Sequence, residues 1–156
     1  MKKHFILILF VAIALASCGK KDTFDAAAQA AADDSAIQAY LAAHPSITAT
    51  KDPSGLYYQI VTQGTGANAT MTSSITANYT GTLLNGTVFD KTTTNAFGPF
   101  SLGGVIQGWQ IGIPLVKAGG RIMLLIPSGL GYGNSAQGAI PANSVLIFTI
   151  DVLTVK

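Results

Sequence analysis

The groups that could do covalent chemistry are thinly supplied in this chain. Glutamate is absent, Cys18 is the only cysteine, and His4 and His44 are the only imidazoles. The serines have no activating base at a recognisable spacing, so hydrolysis by a triad or by paired carboxylates is disfavoured. A lone cysteine and separated histidines exclude disulfides and argue against thiolate or imidazole metal centres. What the sequence offers instead is aromatic and aliphatic. Val105-Ile106-Gln107-Gly108-Trp109 carries the only tryptophan. It stands in order with Tyr79-Thr-Gly-Thr-Leu83, Gly86-Thr-Val-Phe89-Asp90, Leu130-Gly-Tyr132-Gly133 and Ile140-Pro141. Taken singly, Tyr79, Trp109 and Phe148 read as core residues, Asp90 as a turn carboxylate and Tyr132 as a loop aromatic.

Together, and in this order and spacing, the five blocks resemble the FKBP-type peptidyl-prolyl cis-trans isomerases over roughly residues 53–156. The resemblance implies a pocket. Tyr79 would form a side wall, and Phe89 would line the proline cavity with the Asp90 carboxylate at its rim. Val105 and Ile106 match a Val-Ile pair whose isoleucine N–H bonds a substrate carbonyl. Trp109 would be the floor, Tyr132 would donate its hydroxyl to the substrate, and Ile140 and Phe148 would complete the walls. The implied catalytic set is therefore Asp90, Tyr132 and Ile106. Phe100 matches a strand phenylalanine, whereas Gly98 stands where a further wall aromatic is common, and Phe97 beside it is expected to compensate. Gly104 and Gln110 replace acidic residues frequent near the tryptophan, and the loop from Tyr132 to Ile140 is a residue short and lacks a histidine. These departures bear on substrate preference and on binding of macrolide inhibitors.

Such a pocket suits the implied reaction. The barrier to prolyl rotation is amide resonance, about 18–20 kcal/mol, and uncatalysed exchange takes roughly 10–100 s. A dry cavity with one or two placed donors lowers that barrier by binding the twisted imide better than either planar form. No nucleophile, metal, ATP or organic cofactor is required.

The N-terminal third is read without help from the resemblance. Lys2 and Lys3 precede the apolar run Phe5–Leu15, too short to remain as a membrane span, and Leu15-Ala16-Ser17-Cys18 is a lipobox. Residues 1–17 are expected to be a signal peptide, with Cys18 lipidated and the chain held on a membrane surface. Gly19 is not the aspartate that often retains lipoproteins in the inner membrane, so the outer membrane is preferred. Without Lys2 and Lys3, seven basic residues face seven aspartates and the formal charge is zero. A balanced surface of that kind gives nucleic acid no footprint.

Residues 18–52 are expected to be a tether followed by an alanine-rich helix over Asp25–Ala43, capped by Asp33 or Asp34 if it is broken there. The helix stops before Pro45 and acts as a spacer. From residue 53 onward the pattern becomes period two. Ile75, Ala77, Tyr79, Gly81 and Leu83 alternate with polar residues, and Asn85-Gly86 is a hairpin turn in which both residues tolerate positive φ. Arg121–Pro127 and Val145–Val155 read as strands, the last with Leu146, Phe148, Ile150 and Val152 on one face. Gly108–Val116 reads as the only helix of the domain, distorted by Pro114. Gly64-Thr-Gly66 opens no helix and is a turn. The expected fold is α+β, an antiparallel sheet of about five strands wrapped over one short helix.

The function that follows is isomerisation of proline-containing, unfolded or nascent polypeptides outside the cytoplasm. Two rivals stay open on the sequence. One is a holdase or assembly module that uses the same pocket without turnover. The other is a surface lipoprotein in which isomerase activity is incidental.

Overall fold

The computed structural model describes residues 24–156. Cys18 and the signal segment, with the lipidation expected there, lie outside the described residues. The first element is α1, Ala26–Ala43. Its N-cap is Asp25, whose carboxylate accepts the N–H groups of Ala27 and Ala28, both at 3.0 Å. Asp33 and Asp34 are therefore helix-interior residues and not caps. The helix ends at Ala43, before His44-Pro45.

Seven strands follow: β1 (Thr50–Lys51), β2 (Tyr57–Thr62), β3 (Ser74–Leu83), β4 (Val88–Lys91), β5 (Phe97–Ser101), β6 (Arg121–Ile126) and β7 (Leu146–Val155). All pair antiparallel in one sheet of order β1-β2-β6-β7-β3-β4, with β5 beside the first half of β3. The expected count of about five rises because β1 and β4 span only two and four residues, too few to display a period. In the β3–β4 turn only Gly86 is left-handed, with φ at +84°, and Asn85 instead accepts the Thr87 N–H at 3.0 Å.

One face of the sheet carries the principal core. Ile122, Leu124 and Ile126 of β6 and Leu146, Phe148, Ile150 and Val152 of β7 are buried there with Trp109 and Ile113. Trp109 belongs to α2, Gln107–Gly112, which tightens into a 3-10 turn at Ile113–Leu115. That change is the one Pro114 demands, since it lacks the N–H an α-helix needs. Gly108 and Gly112 face β6. A Cβ on either would stand 2.5 Å from the buried side chain of Ile126 or Leu124, so glycine alone lets α2 lie directly on the strand.

The opposite face is covered by α1. Ile37 is fully buried among Tyr57, Leu125, Val145 and Ile147. The expectation of a spacer standing apart from the domain is corrected here for the helix. Gln29, Asp33, Ile37, Tyr40 and Leu41 form one inward stripe, and a polar residue in the middle of it hid the stripe from the apolar pattern. Because Leu125 and Ile147 point to α1 while their neighbours point to α2, the end of β6 and the start of β7 are buried on both faces. This is why Leu124-Leu125-Ile126 and Leu146-Ile147-Phe148 are unbroken apolar runs.

Candidate active site

A cavity of about 540 Å³ opens where β3, β4 and the start of β5 meet α2 and the loop after β6. That size is ordinary for a ligand pocket. Trp109 is its most buried aromatic, at 4 % exposure. The indole is met edge-on by Tyr79 at 5.2 Å between ring centroids and by Phe148 at 5.2 Å, and Phe89 meets Phe148 at 5.4 Å. These T-shaped contacts fix the rings as a set.

Backbone spacing explains how so many rings fit. Gly81 faces the Phe89 and Phe148 rings, and a Cβ there would lie 2.6 Å from Phe89 and 2.8 Å from Phe148. The glycine two residues after Tyr79 therefore seats two aromatic walls against bare main chain. On α2, Gln110 donates its side-chain amide to the Val105 carbonyl at 2.7 Å and to Gly103 at 3.3 Å. An acidic residue could not donate in this way. The departure noted at position 110 thus ties down the segment that leads to Ile106, whose carbonyl accepts the Trp109 and Gln110 N–H groups at 3.0 and 3.2 Å.

The electrostatics of the pocket are spare. Asp90 is the one ionisable carboxylate in the lining. Its Oδ2 accepts the Tyr79 phenol at 2.5 Å. Burial of the ring, and then the neighbouring carboxylate, push the Tyr79 phenol well above its ordinary value. The phenol is thus neutral and a donor over the whole physiological range. Tyr132 stands at the mouth, 40 % exposed. Among the described residues no group of histidine, cysteine, aspartate and glutamate could hold a metal ion.

Of the eleven pocket residues expected from the sequence, Tyr79, Phe89, Asp90, Phe97, Val105, Ile106, Trp109, Tyr132, Ile140 and Phe148 line the cavity. Phe100 does not. It stacks behind Phe97 at 4.8 Å and supports that ring, because it occupies the inward register of β5 opposite Ile75. Phe97 thereby supplies the wall that Gly98 cannot. Gly104 and the run Gln137-Gly138-Ala139 also line the cavity and were not anticipated. Small and polar residues carry no chemical signal, and only their positions, Gly104 just before Val105 and the other three just before Ile140, could have pointed to them.

Residues 66–153 match the family model described as FKBP-type peptidyl-prolyl cis-trans isomerase. The chain belongs to this family. It is 40% identical over 119 residues to an FKBP-type isomerase, FkpA, of Aeromonas hydrophila, covering 75% of this chain and 44% of that protein. It is 43% identical over 107 residues to the outer membrane protein MIP of Legionella longbeachae, covering 67% and 46%. The chain thus spans under half the length of these relatives. In three dimensions it is similar to FkpA from Escherichia coli, with a TM-score of 0.73 and 34% identity over 83% of this chain and 62% of that one. A second similar structure is AtFKBP13, with a TM-score of 0.65 and 34% identity over 69% and 98%. The FKBP fold of this chain therefore consists of the sheet, α2 and the aromatic cavity between them, with α1 on the outer face.

Proposed function

We propose that this FKBP-family chain is an active prolyl isomerase of the cell envelope, tethered through lipid on Cys18 and working on proline-containing, unfolded or nascent polypeptides. The observation that carries the reading is the composition of the cavity. It has an indole floor, aromatic walls and a single carboxylate already held by a phenol.

A prolyl ring resting on Trp109 between Phe89, Phe148 and Ile140 leaves water behind, which strengthens every dipole that faces the imide. Ile106 caps α2, and an N–H at a helix start has no intrahelical acceptor. It is available to hold a substrate carbonyl. Tyr132, on the opposite lip, donates its hydroxyl to the peptide. As the imide twists, resonance between its nitrogen and its carbonyl is lost and the group becomes less polar, which suits an apolar pocket. The site stabilises this geometry by shape and fixed dipoles, with no bond made or broken.

The test is cis-trans exchange in a Xaa-Pro peptide, and refolding of a protein limited by a prolyl step, with and without the chain. Acceleration of both supports the reading. Binding of the peptide without any acceleration would favour a non-catalytic holdase that uses the same cavity.

A further inference from the structure

Asp33 is the most deeply buried charged residue described, at 3 % exposure, and no cation accompanies it. Its Oδ2 accepts both the main-chain N–H and the hydroxyl of Ser128, at 2.7 and 2.6 Å, and its Oδ1 accepts the Gln29 amide at 2.7 Å. Ser128 is itself 1 % exposed and opens the 3-10 turn Ser128–Leu130 that follows β6. Its carbonyl in turn accepts the N–H groups of Gly131 at 2.9 Å and Gly133 at 2.8 Å, the two residues flanking Tyr132. Gly133 then accepts the Asn143 N–H at 2.8 Å, which closes the far side of the loop that also carries Gln137–Ile140.

We infer that Asp33 is a positioning residue of the pocket: through one buried carboxylate, α1 holds Ser128 and thereby fixes the loop that presents Tyr132. The chemistry favours this over simple helix docking. A buried carboxylate is costly unless donors surround it, and an apolar residue at position 33 would join Ile37 in packing α1 with no such cost. What the carboxylate adds is a pair of short, charge-assisted hydrogen bonds from one residue, a geometric constraint that apolar packing does not supply. A helix on one face of the sheet is thus connected to the lip of a cavity on the other. The kinetic part of this inference rests on the isomerase reading; the structural part does not.

The experiment uses the full chain and its variants Asp33→Ala, Asp33→Asn and Ser128→Ala. Amide hydrogen exchange and isomerisation kinetics are both read. In Asp33→Ala the Ser128, Gly131 and Gly133 amides should exchange about tenfold faster, as expected for loss of a charge-assisted bond. Ile150 and Val152 in the sheet should keep their protection. The catalytic efficiency kcat/KM should fall roughly three- to tenfold, mainly through KM, because binding must then order the loop. Asp33→Asn keeps an oxygen that can accept both Ser128 donors and should restore most of the loss. Ser128→Ala removes only the hydroxyl and should move the same amides and KM by a smaller step; it decides the matter if Asp33→Ala does not fold. When Tyr132→Ala is already present, adding Asp33→Ala should cost little further activity. Parent-like protection of Gly131 and Gly133 in both alanine variants, or a kinetic loss of equal size with and without the Tyr132 side chain, overturns the inference. A parent chain that lacks isomerase activity would instead sink the functional reading and leave hydrogen exchange to decide the positioning.

Discussion

Tyr79 on β3 donates its phenol hydrogen to Asp90 on β4, so two adjacent strands are joined across the mouth of the cavity by one 2.5 Å hydrogen bond. The bond fixes the only carboxylate of the lining through one of its two oxygens. Asp90→Val should therefore lower kcat/KM by at least about tenfold, with a far smaller change in denaturant midpoint, since Asp90 is exposed and supports no core contact. Unchanged turnover with altered stability would make Asp90 a structural residue.

The same pair predicts an alkaline signature. The folded Tyr79 phenol titrates above its unfolded value of 10.0, owing first to burial and then to the Asp90 bond. A raised folded pKa contributes stability that is intact below pH 10 and is lost as pH rises beyond it toward the folded value. Denaturant midpoints taken between pH 8 and pH 11.5 should fall more steeply above pH 10 for the parent than for Tyr79→Phe. Equal slopes would count against a raised titration of the half-buried, Asp90-bonded phenol.

Floor and lip should separate cleanly by mutation. Trp109→Ala removes a buried ring packed against four others and should cost about 3–5 kcal/mol of stability as well as peptide binding. Tyr132→Phe keeps the shape of an exposed residue and removes one donor. It should leave the denaturant midpoint unchanged and reduce kcat/KM by the equivalent of about 0.5–1.5 kcal/mol. Kinetics beside chemical denaturation check both.

The docking of α1 makes a different prediction from a spacer. Ile37→Ala opens a hole between Tyr57, Leu125, Val145 and Ile147 and should destabilise the fold by about 2–5 kcal/mol. Activity below the unfolding transition should persist, because Asp33 and not Ile37 makes the hydrogen bonds to Ser128. A midpoint equal to the parent's would restore the spacer reading.

For the anchor, Cys18→Ala in the producing cell should abolish fatty-acid labelling and release the chain from the membrane fraction. Labelling and fractionation equal to the parent's would remove the lipobox from consideration.

The pocket was largely legible before the fold because its chemistry is written in large side chains. Tyr79, Phe89, Trp109 and Phe148 are conspicuous at any spacing, and their order along the chain identified the family. Phe100 was misplaced by one layer, since a phenylalanine that lines a cavity and one that backs it look alike until strand register is known. Asp33 misled for a physical reason. An aspartate in an alanine-rich stretch reads as a cap or a break, and only tertiary structure reveals a buried partner ninety-five positions away. Likewise, β1 and β4 are defined by their partners' hydrogen bonds and not by any pattern of their own.

Gly108 and Gly112 have a consequence for the reach of the site. Because neither carries a side chain, α2 rests its backbone on the side chains of Ile126 and Leu124, and Trp109 sinks with it. The level of the indole, and hence the depth of the cavity above it, is gauged by two missing methyl groups on the far side of the helix. A single alanine there would act as a shim under α2, making the cavity shallower without altering one residue that a substrate touches.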